Sequence, residues 1–197
     1  MTSLLYKSPR LYHAIIKLIY GKDFNNRYKE IAKIIGKNKK VLDLGCGTGE
    51  LKKHLDESCT YEGWDLNQKF IKAGKEKGLN VKLKNIFNFK KYPESDVIVI
   101  SDLLHHVIPR HMELIRKAKK NTKKLVIMEP FVTINRDSRI MRWLSKLWDS
   151  TLGDNDGINS FEQRSKWFRT KEEVHEFFKS LNPELIKEVG PEYLVVL

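Results

Sequence analysis

Cysteine is scarce in this sequence: 197 residues carry two, Cys46 and Cys59. Neither sits in a metal-ligand spacing, and two thiols make no disulfide framework, so the expectation is a metal-free protein of a reducing, cytoplasmic compartment. Long apolar runs are missing as well. VIVI at 97–100 and LVVL at 194–197 fall far short of the roughly 18 residues that a membrane span needs. The opening stretch MTSLLYKSPRLYHAIIKLIYG is interrupted by Lys7, Arg10, His13 and Lys17, so it lacks the unbroken apolar centre of a secretory signal. Internal repeats and low-complexity tracts are absent. A chain of this length with 41% hydrophobic residues is long enough for one buried core and short for two, and a single domain is expected.

Acids are outnumbered: Lys and Arg total 37 against 25 Asp and Glu, a formal charge of +12. Between 110 and 146 there are eleven Lys or Arg and three acids. Such an excess suits nucleic acid, an anionic membrane or an acidic substrate, and equally suits plain solubility. Lys117, Lys119, Lys120, Lys123 and Lys124 cluster where a helix is expected to end, and a helix C-terminus favours cations whatever the protein does.

Periodicity organises the rest. Leu11, Ile15, Leu18 and Ile19, then Tyr28, Ile31, Ala32 and Ile35, recur at helical spacing, which predicts two helices over 9–36 with a break at 21–26. From Val41 strands and helices alternate: strands at 41–44, 61–65, 81–85, 96–101 and 124–129, helices at 50–55, 68–77 and 110–119. That rhythm implies an α/β fold with a parallel sheet covered on both faces. After Pro130 it stops for nearly forty residues, rich in Arg and Trp, before a helix at 171–181. GDNDGINS within that stretch reads as a loop, and ELIKEVG with EYLVVL, around Gly190 and Pro191, reads as a closing hairpin. The expected organisation is N-terminal helices at 1–38, a ligand-binding core at 39–130, a lid or insertion at 131–170, and a C-terminal helix with hairpin at 171–197.

The chemistry concentrates in VLDLGCGTGE at 41–50. In a parallel sheet a ligand sits beyond the strand carboxyl ends, and the first strand-to-helix turn is the usual contact. Glycines there let a ligand approach closer than any Cβ allows. A dinucleotide fingerprint reads GxGxxG, whereas this turn is GxGxG with Asp43 two residues ahead of the first glycine, a poor neighbour for phosphate. Asp43 favours a cationic group, and Asp65, at the end of the second strand, is placed to accept the hydroxyls of a ribose. The ligand suggested has a ribose, a positive charge and no phosphate, and S-adenosylmethionine fits that description.

On these residues the sequence resembles the class I S-adenosylmethionine-dependent methyltransferases, in which a strand running into DLGCGTG is the first motif. The resemblance covers 40–129. It implies a Rossmann-like three-layer α/β/α sandwich with a mostly parallel seven-stranded sheet and a C-terminal antiparallel hairpin. It also implies that Gly45, Cys46, Gly47 and Gly49 line the cofactor, with Asp43 near the methionyl ammonium. Asp65 would hold the ribose hydroxyls, and Leu66 would pack on the adenine. Asn85 stands where the family carries an acid that meets the adenine amino group, and its amide oxygen can accept the same bond; Ile86 follows it. SDLLHHV matches the segment in which Ser101 and Asp102 line the methionyl side, although Asp102 reads equally as a helix cap, and Leu66 and Ile86 as core residues.

Methyl transfer from a sulfonium is an in-line displacement, so alignment and exclusion of water are the main requirements. An acceptor that must lose a proton needs a base, for which histidine is suited. His105 and His106 follow the fourth strand, with His106 favoured; Glu129, ending the fifth, reaches the same edge to orient substrate or pair with a basic residue of the lid. His111 is expected on a helix surface. The Asp/Asn-Pro-Pro-aromatic segment of base-amine methylation is missing, and neither cysteine is placed for cytosine chemistry.

In SRIMRWLSKLWD, Ile140, Met141, Leu144, Leu147 and Trp148 share a helix face opposite Arg139, Arg142 and Lys146, a basic amphipathic helix that packs over the active site or lies on an anionic membrane. The helix at 11–19 has a similar cast and is placed to close the pocket from the N-terminal side. The acceptor expected is a small or amphiphilic, lipid-like molecule. RNA held by the basic surface is the second reading, and a binding protein that transfers no methyl the third.

Overall fold

The computed structural model describes residues 3–88, 90–131, 157–168 and 170–197. Among these, strands β1 (Lys40–Leu44), β2 (Thr60–Asp65), β3 (Val81–Leu83), β4 (Ser95–Ser101), β5 (Thr122–Pro130), β6 (Leu185–Val189) and β7 (Glu192–Val196) form one sheet. Their spatial order is β3-β2-β1-β4-β5-β7-β6. The first five pair in parallel, and β7 runs antiparallel between β5 and β6. The described helices are α1 (Pro9–Tyr20), α2 (Asp23–Ile35), α3 (Gln68–Glu76), α4 (His111–Lys120), α5 (Phe161–Arg164) and α6 (Lys171–Lys179).

Alternation along the strands divides the core. Leu42, Leu44, Ile98, Ile100, Leu125 and Ile127 pack with Leu114, Ile115 and Ala118 of α4 and with Val174 and Phe178 of α6. Val41, Val97, Val99, Val126 and Met128 take the opposite face, with Ile31 and Ile35 of α2. Both faces being covered, the buried stretches of the central strands are apolar but for a few polar residues near their carboxyl ends, Asp43 of β1 and Glu129 of β5 among them. Each such apolar side chain is worth about 1.5–3 kcal/mol of burial, and Asp43, only 4% exposed within β1, stands out as a group that opposes it.

Local chemistry sets the element ends. Ser8 caps α1 ahead of Pro9, Asn67 caps α3 by accepting from Lys69 N and Phe70 N, and Thr170 and Glu173 form a reciprocal capping box on α6. Some expectations are revised. The break between the first helices is only Gly21 and Lys22, because α2 already begins at Asp23, whose charge suits a first turn. The segment after the glycine turn is a 3-10 helix, Glu50–His54, instead of an α-helix. β3 stops at Leu83 because β2 offers it three partners, Gly63, Trp64 and Asp65, which leaves Asn85 in the loop beyond. The amphipathic helix read at 138–149 lies outside the described residues, as does the first half of the loop read at 153–160. Among the described residues no helix is long and apolar enough to cross a membrane.

Candidate functional site

The chain leaves β1 for β2 and β3 on one side and returns to β4 on the other, so strand order reverses between β1 and β4. The carboxyl ends of these two strands open a cleft. Asp43, Gly45, Cys46, Gly47, Ser101 and Asp102 line it, together with Thr48, Glu50 and Leu51 from the turn and Tyr12, His13, Phe24, Tyr28 and Ile31 from the N-terminal helices. Six residues singled out from the sequence thus meet in one place, and the α1 helix closes the cleft from the expected side.

The glycine turn directs its donors inward. Gly45 N and Cys46 N both donate to the Trp64 carbonyl, at 2.8 and 3.0 Å, and Gly49 N donates to the Cys46 carbonyl at 2.9 Å. Gly47 N donates to Asp65 Oδ2 at 2.8 Å. A phosphate loop needs such N–H groups for its ligand; here β2 and the turn itself take them. The glycines differ in purpose. Gly47 has φ +54° and a Cβ there would meet no atom within 4 Å, so its face belongs to the cleft. Gly49 has φ +78° and a Cβ would lie 2.6 Å from Leu79 Cδ1, so that glycine serves packing.

Charge gives the cleft its character. Three carboxyl groups line it, Asp43, Glu50 and Asp102, and no lysine or arginine among the described lining residues, in a chain whose formal charge is +12. Burial pushes Asp43 up to about 7, against the bond it accepts from Tyr61 Oη at 2.8 Å and with the help of the Asp65 charge. Burial also opposes ionisation of Asp102, but Arg27 outweighs it and holds that carboxyl below the usual range. Glu50 is likewise held low, burial being overcome by Lys53, which donates to it at 2.7 and 2.9 Å.

Beneath the cleft Arg27 is 1% exposed. Its Nη1 lies 2.6 Å from Asp102 Oδ2, and its Nη2 donates to Glu192 Oε1 at 2.7 Å and Ser101 Oγ at 3.1 Å. Glu192, fully buried, is raised well above the ordinary range by that burial and by the charge of Asp102. The guanidinium therefore holds Asp102 ionised, whereas burial and the Asp102 charge, against the pull of Arg27, favour the protonated form of Glu192. Asp102, at φ +51°, also accepts from Tyr20 Oη at 3.2 Å; it anchors the end of β4 and caps no helix. Sequence reading missed Arg27 and Glu192. The signal available was an arginine on the apolar face of α2, between Phe24 and Ile31, and an acid opening an otherwise apolar strand.

The remaining predicted residues, Gly49, Asp65, Leu66, Asn85, Ile86, His105, His106 and Glu129, are not among the residues that line the cleft. Asp65 stands at the end of β2 and accepts from Gly47 N with one oxygen and from Asn67 N, at 2.7 Å, with the other. Leu66 beside it is 45% exposed and so is no core residue. Asn85 Oδ1 accepts from Phe87 N at 2.9 Å, shaping its own loop, while Ile86 is buried in the core.

His105 and His106 lie in a 3-10 turn, Leu104–Val107, both buried. His105 Nδ1 is 2.7 Å from Glu129 Oε2, whereas the His106 ring meets the Tyr6 ring edge-on at 6.2 Å. Glu129 is fully buried, and its Oε1 accepts from Leu103 N at 2.6 Å and Leu104 N at 2.7 Å. Its described contacts organise the loop after β4; none is with a basic residue of the lid. His111 is half-buried against Trp167 and Phe177 and not on the surface.

A family model described as a methyltransferase domain matches residues 20–179. Trans-aconitate 2-methyltransferase of Mycolicibacterium gilvum is 30% identical over 80 residues, which are 39% of this chain and 31% of that protein. The corresponding enzyme of Mycobacterium tuberculosis is 28% identical over 105 residues, 51% of this chain and 40% of that protein. The chain thus spans well under half the length of these curated relatives. Among solved structures, an rRNA methylase from Escherichia coli superposes with a TM-score of 0.59 at 15% identity, covering 97% of this chain and 68% of that one. A SAM dependent methyltransferase from Aquifex aeolicus gives 0.53 at 18% identity, covering 96% and 98%. At these identities the likeness is one of fold.

Proposed function

We propose, from the premise that this chain belongs to the class I S-adenosylmethionine-dependent methyltransferases, that it transfers a methyl group to a small or amphiphilic acceptor. The observation that carries the reading is the cleft at the β1/β4 switch point, lined by Asp43, Glu50 and Asp102 with no described lysine or arginine. That lining suits a cofactor bearing a sulfonium and an ammonium and repels a phosphorylated one. When bound, S-adenosylmethionine supplies an electrophilic methyl group and leaves as S-adenosylhomocysteine.

The chain's own residues would hold and align. Asp43 and Asp102 would face the cationic end, the open face of Gly47 admits the ligand to the backbone, and Asp65, whose carboxylate is oriented by Gly47 N and Asn67 N, stands at the end of β2 where a ribose would meet it. Leu66, exposed beside it, is placed to cover an adenine. The base role passes from His106 to His105. With Glu129 accepting from Nδ1–H, the basic lone pair of His105 is fixed on Nε2, where it can take the proton of an acceptor hydroxyl or amine.

Two considerations support a small acceptor over RNA. The curated relatives, matched over 80–105 residues, are named for a small acid. The lysine cluster lies at the wrong edge: α4 ends and β5 begins at Lys120–Thr122, where parallel strands start, opposite the cleft at their carboxyl ends. Two of its members are occupied, Lys117 with the Ile86 carbonyl and Lys124 with the Ile34 carbonyl.

Titration calorimetry with S-adenosylmethionine and S-adenosylhomocysteine tests the cofactor assignment. Native binding is expected, with affinity reduced about a hundredfold in Asp65→Ala, the scale of a lost charge-assisted pair of hydrogen bonds. No native binding, or equal binding by the variant, overturns it. Methyl-labelled cofactor incubated with fractionated cell extract then tests the acceptor: label in small molecules or lipids is expected, and label in RNA overturns the acceptor class.

A further inference from the structure

No described side chain of α1 is fully buried, yet the helix lies over the cleft, with Tyr12 and His13 on the inner side. Its outer side carries Leu11, 37% exposed, and Leu18, 82% exposed, one directly above the other seven residues apart, with exposed Ala14 between them. Leu4, on the turn just before, is 54% exposed. Three of the six large exposed hydrophobics among the described residues therefore fall within fifteen positions, which makes a patch and not the usual scatter.

The charges around this patch have one sign. Lys7, Arg10, Lys17 and Lys22 are present, and no Asp or Glu occurs before Asp23. Arg10 and Lys17, both exposed, precede Leu11 and Leu18 by one residue each, so a basic row runs alongside the leucine row. We propose that the outer face of α1 is a docking surface for an anionic lipid bilayer. Leucines on such a face enter the acyl boundary while flanking cations meet the headgroup phosphates. Charge selects this occupant. A second copy of the chain would bring its own Arg10 and Lys17 against these, and an apolar protein groove would leave the row unanswered. Docked so, the helix sets the mouth of the cleft beside the headgroups, where an amphiphilic acceptor resides. The proposal stands independently of the methyl-transfer reading, since lipid binding is measurable whatever the cleft holds.

The test is co-sedimentation of the full chain with phosphatidylcholine vesicles, with and without phosphatidylglycerol. Binding to the anionic vesicles is expected, weakening as salt is raised. Leu11→Glu with Leu18→Glu should weaken it at least roughly tenfold per leucine, while leaving cofactor affinity and the circular dichroism spectrum unchanged, since both positions are exposed. Arg10→Glu with Lys17→Glu tests the charge alone and should abolish the preference for anionic lipid. Absence of binding to anionic vesicles, or unchanged binding by the leucine variant, overturns the proposal. So does a dimer, seen by sedimentation without vesicles and dissolved by the same leucine variant, which would make the face an interface between copies.

Discussion

Glu129 holds His105 at 2.7 Å through one oxygen while its other oxygen takes the N–H groups of Leu103 and Leu104. One buried carboxylate therefore sets both the loop after β4 and the orientation of the imidazole on it. With Glu129 ionised, the contact orients Nδ1–H toward the carboxylate and leaves the Nε2 lone pair that the proposed base requires.

His105→Ala is accordingly expected to lower kcat with the native acceptor by about a hundredfold or more, with cofactor affinity kept, while His106→Ala costs less. Glu129→Gln opposes an amide N–H to His105 Nδ1–H. It should lower kcat and move the acid limb of the pH–rate profile to lower pH, because loss of the carboxylate disfavours the imidazolium. Equal effects of the two alanine variants, or an unmoved profile in Glu129→Gln, would falsify the dyad.

If Asp43 meets the cationic end of the cofactor as proposed, cofactor affinity should depend on pH. Its folded-state carboxyl is pushed up to about 7 from an ordinary 3.8, so between these values the folded chain holds a proton that the unfolded chain has released. Stability without ligand should fall as pH rises through that window, by up to about 1.4 kcal/mol per unit. A cationic ligand prefers the ionised form, so its affinity should rise toward pH 7 and level off above. Calorimetry in buffers of different ionisation heat should show proton release on binding below pH 7. Asp43→Asn should remove both trends; a native affinity independent of pH would sink this account.

Arg27 joins Asp102 to Glu192, and its removal strands Asp102, an ionised carboxylate. Arg27→Met should destabilise the fold by roughly 3–5 kcal/mol, the range for breaking a buried pair, as read from urea denaturation. Arg27→Lys should recover only part, since an ammonium cannot reproduce the forked contacts to Asp102, Ser101 and Glu192. A lysine variant as stable as the native chain would show that charge alone matters there.

The glycines of the turn should separate by phenotype. Gly47→Ala introduces a left-handed alanine facing open space; it should cost about 1–2 kcal/mol of stability and at least roughly tenfold in cofactor affinity. Gly49→Ala drives a Cβ into Leu79 and should lose more stability than Gly47→Ala. The reverse order, from denaturation curves of both variants, would overturn the packing role of Gly49, and unchanged cofactor affinity in Gly47→Ala would mean that the ligand lies elsewhere.

Most of the sheet and the identity of the methyl donor were legible from residue patterns. Alternating apolar strands and amphipathic helices follow from period alone, and the sheet, its hairpin and the family match agree with that reading. GxGxG behind an aspartate argued for a cation in place of a phosphate from local chemistry. What the turn could not disclose is why: Trp64 and Asp65 take its N–H groups, and both belong to a strand about twenty residues away. Burial is equally non-local. Asp43 gains its high proton affinity from burial, with help from the Asp65 charge and against the bond from Tyr61, and nothing in VLDLG sets how many layers cover a residue. Glu129 shows the same limit. A carboxylate ending a strand looks ready for substrate until the fold wraps the neighbouring loop around it and makes it a support. Arg27 and Glu192 stand 165 positions apart in the chain, and only the antiparallel return of β7 beside β5 brings them under the cleft, where the low dielectric makes their pairing matter.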